Sequence, residues 1–161
     1  MIQRLQTIFL FISALAAGLF LYFPTWTKIS SDEQTNLRLN AYKLVETDMS
    51  NLEATTVVNE QSVIYIAILA MLAMILALYS IFQFKNRIRQ MAIGLANTLI
   101  LAVVLGLSFY HAYQANQQLE GPDGVFLLGF FMIPVAMIAN TMANRFIRKD
   151  EKLVRSVDRI R

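Results

Sequence analysis

The chain has no cysteine. Disulfides, thiolate metal sites and cysteine nucleophiles are therefore excluded. Histidine occurs once, at His111, so haem held between two imidazoles is excluded as well. Charge is missing too, over four long stretches. Residues 5–23, 63–84, 91–113 and 125–143 contain no Asp, Glu, Lys or Arg. Catalysis or ion transport at membrane depth ordinarily needs an ionisable group there, and these stretches supply none.

What fills the stretches is apolar. Hydrophobic residues make up 57% of the 161, above the usual share for a soluble domain. A run the length of residues 5–23 reaches about 29 Å as a helix, close to the thickness of a hydrocarbon core. Buried helices of soluble proteins are usually shorter and carry a polar stripe. The sequence predicts a single domain of the all-α membrane class, a four-transmembrane-helix bundle. Residues 5–16 also resemble a secretory signal, with Ala14-Leu15-Ala16 as cleavage site. The apolar run continues to Phe23, however, and Tyr22, Phe23 and Trp26 form an interfacial aromatic belt, so a retained helix is expected.

Basic residues mark the cytoplasmic side. Arg4 precedes the first stretch without an acid, and Lys85, Arg87 and Arg89 join the second to the third. The tail from residue 145 holds Arg145, Arg148, Lys149, Lys152, Arg155, Arg159 and Arg161 against three acids. The outer segments hold only Lys28, Arg38 and Lys43, with acid in excess. Both termini are thus expected in the cytoplasm, with Arg4, Lys85, Arg87 and Arg89 setting topology.

In the outer loop, residues 24–62, the alternation of Leu37, Leu39 and Ala41 with polar neighbours predicts a half-buried strand. A short amphipathic helix over 36–44 is the competing reading. Residues 53–58, rich in β-branched side chains, are expected to pair with that strand. The turn Glu120-Gly121-Pro122-Asp123-Gly124 is expected only to join two antiparallel helices. In the tail, Phe146, Leu153, Val157 and Ile160 share a helical face, widened by Val154. The bases around it suit an anionic leaflet or a docked protein.

Within the spans, Asn97 and Asn140 fall at similar depth on neighbouring helices, which predicts an amide pair across the interface. Small residues four apart, Ala14/Gly18, Ala73/Ala77, Ala102/Gly106 and Ala139/Ala143, allow close helix approach. Pro134 is expected to bend the fourth helix. Ser108 and His111 are close enough on one helix to touch. Nothing signals the oxyanion hole a serine hydrolase needs, and His111 is expected in the outer aromatic belt with Tyr110 and Tyr113.

Three segments carry a resemblance: Met1-Ile-Gln-Arg-Leu-Gln-Thr-Ile-Phe-Leu10, Phe84-Lys-Asn-Arg87 with Gln90, and Arg148-Lys-Asp-Glu-Lys-Leu-Val-Arg-Ser-Val-Asp-Arg-Ile-Arg161. Together they resemble a family of small bacterial four-helix membrane proteins of unknown function. The resemblance implies an inner-membrane location and supplies no activity, cofactor or catalytic residue. The functional expectation is a non-catalytic accessory or scaffold subunit. It would act through helix packing and through Arg148, Lys149, Lys152, Arg155, Arg159 and Arg161, which would bind anionic lipid or a partner. Another membrane protein or self-association is expected, and no nucleic acid. The alternative is a small carrier or channel for a neutral or apolar solute.

Overall fold

Helices form where the chain runs long without charge. In the computed structural model these are α1 (Ile2–Tyr22), α2 (Ile64–Phe82), α3 (Arg87–Gln118) and α4 (Leu128–Asp158). The structure describes residues 2–50, 56–84 and 86–158, with side chains over 5–50, 56–84 and 86–153. Each helix packs on its neighbours in chain order, and α1 packs most extensively on α4, which closes the ring.

Small residues turn inward and large apolar ones outward. α2 buries Ile66, Ala67, Ala70, Ala73, Ala77 and Ser80, while Ile68, Met71, Leu72 and Ile75 are exposed. Helix association without a hydrophobic driving force relies on such small-residue seams. By length and composition all four helices can cross a membrane. The small pairs Ala73/Ala77 and Ala139/Ala143 are buried in the seams. Ala102 and Gly106 instead face away from the bundle. α3 packs through Gln90, Gly94, Asn97, Leu101, Val104 and Ser108.

The all-α expectation is overturned by a five-stranded antiparallel sheet. Its strands are β1 (Trp26–Ile29), β2 (Thr35–Leu39), β3 (Lys43–Asp48), β4 (Thr56–Ser62) and β5 (Val125–Phe126), in the order β4-β3-β2-β1-β5. Thr56 and Val57 pair with β3, not with β2, Val58 forms a bulge beside them, and residues 53–55 lie outside the described residues. Nor does the outer link between α3 and α4 merely connect: Val125 and Phe126, expected to begin the fourth span, pair with Thr27 and Trp26. The physical reason is that a strand leaves an alternating pattern only where one face is buried. β4 is exposed along its whole length, and β5 has just two residues.

β1 to β4 join α1 to α2, and β5 joins α3 to α4, so the sheet sits at one end of the bundle. One face is turned to the helices. Directly opposed residues share a face, which gives two inward rows: Trp26–Leu39–Leu44–Gln61 and Lys28–Leu37–Glu46–Asn59. Each row is buried at β1 and β2 and polar at β4. The support beneath is α3, whose 32 residues span about 48 Å and outrun a hydrocarbon core of about 30 Å. Trp26 lines a small pocket together with Ala112, Tyr113 and Asn116 near the end of this helix. Gly124 leaves room for the indole; a Cβ there would meet the Trp26 ring at 2.1 Å.

α4 likewise runs on. The apolar segment and the tail form one 31-residue helix with Pro134 inside it.

Candidate functional sites: a polar seam, a basic helix end and a sheet cleft

The polar seam lies between α3 and α4. Asn140 is fully buried and is its hub. Its Nδ2 donates to the Gly94 carbonyl at 2.6 Å and to Thr98 Oγ1 at 2.8 Å. Asn97 Nδ2 donates to Asn140 Oδ1 at 3.4 Å. The two amides meet, but Gly94 and Thr98, which the sequence did not single out, hold the shorter bonds. Gly94 is needed for close approach: a Cβ there would lie 2.2 Å from Asn144 Oδ1. Ser13 of α1 donates to the Ala136 carbonyl of α4 at 3.0 Å, and Gln90 Nε2 donates to the Ser80 carbonyl of α2 at 2.9 Å. Every helix is thus tied to a neighbour by a buried polar bond. Each such bond between membrane-type helices is worth about 0.6–2 kcal/mol.

Ser108 and His111 are not brought together. Ser108 Oγ donates to the Val104 carbonyl of its own helix at 2.8 Å. The His111 ring bonds the Tyr65 hydroxyl on α2 and packs edge-on against Tyr110. Among the described residues no three His, Asp or Glu gather as a metal-binding group.

The opposite end of the bundle carries the bases. Arg87, the first residue of α3, pairs with Asp150 of α4 at 2.8 Å, with both side chains largely buried. Phe9 of α1 stacks on Phe146 of α4 with ring centroids 5.4 Å apart, and Ile147 is fully buried. These contacts hold α4 to the bundle beyond its apolar segment. Arg89, Arg145, Arg148, Lys149 and Lys152 are exposed. Arg148 and Lys152 line an open cleft with Met91 and Glu151. The side chains of Arg4, Lys85, Val154, Arg155, Val157, Arg159, Ile160 and Arg161 lie outside the described residues.

At the sheet end, sequence reading missed Lys28 and the cleft beside it. Lys28 is only 4% exposed. Its Nζ donates to the Asn116 carbonyl at 2.7 Å. That carbonyl belongs to the last turn of α3, where acceptors lack helical partners and the helix dipole is negative. Lys28 therefore caps α3, and a buried cation is tolerated. Asn116 also shapes the turn before β5: its Nδ2 donates to Asp123 Oδ1 at 3.0 Å, and its Oδ1 accepts from the Gly124 amide at 2.9 Å. Past Leu37 and Leu44, the sheet overhangs α3 and leaves a cleft of about 200 Å³, lined also by Glu46, Asn59, Gln61 and Gln118.

The family model described as a domain of unknown function (DUF4293) matches residues 2–160. The chain belongs to that family. No curated protein matches it.

Proposed function

We propose that this protein is a non-catalytic membrane accessory or scaffold subunit. In this reading the four helices cross the bacterial inner membrane and both termini are cytoplasmic. The sheet is held outside and the basic end of α4 inside. The observation that carries the reading is the continuity of α4. One helix runs from the sheet end to the basic end, and Arg87–Asp150 and Phe9–Phe146 clamp it to its neighbours. Such a helix presents Arg145, Arg148, Lys149 and Lys152 at a fixed height, where each base near an anionic leaflet is worth about 1 kcal/mol. The polar seam fits the same role, because its bonds join helix to helix. The exposed bases would hold anionic lipid or the acidic surface of a partner protein.

Crosslinking from Lys149 and Lys152 in native membranes tests this directly. Photo-reactive groups at both positions are expected to yield adducts with anionic lipid or a second protein, and a mild-detergent preparation to retain that species. A lone monomer that forms no adduct and is indifferent to lipid would sink the reading.

A further inference from the structure

β4 is the sheet's long open edge. It is the terminal strand in the pairing order, seven residues long and exposed throughout. Val57 and Val58 are 59% and 62% exposed. Free edges of this kind are templates for an added strand, and proteins ordinarily blunt them with charge, proline, a bulge or a cover. Here the strand contains no proline, its one charge, Glu60, is paired with Lys43 at 3.0 Å, and its bulge at Val58 leaves Asn59, Glu60, Gln61 and Ser62 in unbroken register with β3.

Beneath that edge lies the cleft of about 200 Å³. Pockets that take drug-sized molecules run to about 300–1,000 Å³, so this one has room for a single long side chain. Among the described residues, its polar side chains, Glu46, Asn59, Gln61 and Gln118, make no hydrogen bond or ion pair. Glu46 is half-buried, and an unpaired carboxylate in such a place favours a cationic partner. The one base in its row, Lys28, is held by the Asn116 carbonyl.

We propose that β4 and this cleft together bind an extended peptide segment as a sixth strand, with a lysine or arginine of that segment seated on Glu46. The register fixes the chemistry. The row Lys28–Leu37–Glu46–Asn59 would continue into the added strand directly beyond Asn59. That position is two strand spacings, about 9.5 Å, from the Glu46 backbone. A long basic side chain reaches across Asn59 to the carboxylate; a short one does not. Main-chain bonds to β4 would supply affinity and the base specificity, as in other strand-addition complexes. The site stands whether or not the basic end of α4 docks a lipid.

The probe is a labelled, capped heptapeptide, Thr-Val-Thr-Lys-Thr-Val-Thr, titrated by anisotropy against the full chain in detergent micelles. It should bind at least about tenfold more tightly than the same peptide with glutamate at the centre. Glu46→Gln should bring the two affinities together, and Glu46→Lys should reverse the preference, a gain that misfolding cannot mimic. N-methylation at alternate residues of the probe should abolish binding. Glu60→Gln, on the opposite face of the sheet, should leave the ratio unchanged. Failure of the lysine peptide to bind, equal affinity for both peptides, a ratio indifferent to Glu46→Gln, or an N-methylated probe that binds as well as its parent would each overturn the proposal.

Discussion

Asn140 shows how much one buried amide does in this chain. Its NH₂ group serves the Gly94 carbonyl and Thr98, and its oxygen accepts from Asn97. Asn140→Ala removes all three bonds and leaves the Asn97 amide without that partner. A loss of about 1–2 kcal/mol is expected, read from denaturant unfolding in detergent; a change within a few tenths would contradict it. Gly94→Ala acts on the same seam by crowding Asn144, whose Oδ1 would lie 2.2 Å from the new Cβ. It should destabilise, and adding Asn144→Ala should recover part of the loss. No recovery in the double variant would mean that the crowding is relieved elsewhere. The seam was only half legible. Two asparagines inside apolar runs stand out, whereas Gly94 and Thr98 are ordinary members of such runs until a neighbour's geometry gives them a role. Lys28 was missed for a related reason. In sequence it is one more base of an outer segment, and nothing there says that α3 extends to Gln118 and needs a cap.

Among the elements, the helices were legible, and of the sheet only β2, the half-buried strand through Leu37 and Leu39, was. Long uncharged runs announce themselves whatever they pack against. β2 alternates because Leu37 and Leu39 face the helices. β3 and β4 lie where the sheet has outrun its support, so their polar inward residues erase the period. One consequence is measurable. Trp26 is the only tryptophan, and it is 2% exposed, at the joint of sheet and α3. Its emission should be blue-shifted in the folded chain and should report that joint alone. Lys28→Met removes the cap on α3 and should move the Trp26 emission transition to lower denaturant, with helical circular dichroism little changed before the main unfolding. Coincident shifts in both signals would show that sheet and bundle unfold as one unit.

For the whole molecule, charge asymmetry and fold point the same way. The sheet end carries Asp48, Glu60, Glu120 and Asp123, and the other end carries Arg89, Arg145, Arg148 and Lys149. Because bases are retained on the cytoplasmic side, a bilayer crossed by this bundle should leave the sheet outside and the end of α4 inside. The absence of cysteine makes the test clean, since any introduced thiol is the sole label site. Val58→Cys lies on the exposed edge strand and Lys149→Cys on the exposed end of α4. Neither replaces a residue of the seam or of the capped joint. In intact cells whose outer barrier is opened, an impermeant maleimide should label Val58→Cys at once. Lys149→Cys should react only after the inner membrane is lysed. Labelling of both from one side would place both ends of the bundle in the same compartment and refute a crossing by all four helices. Labelling of Lys149→Cys alone in intact cells would invert the orientation. The edge strand and its cleft would then face the cytoplasm, and the peptide they take would have to be sought there.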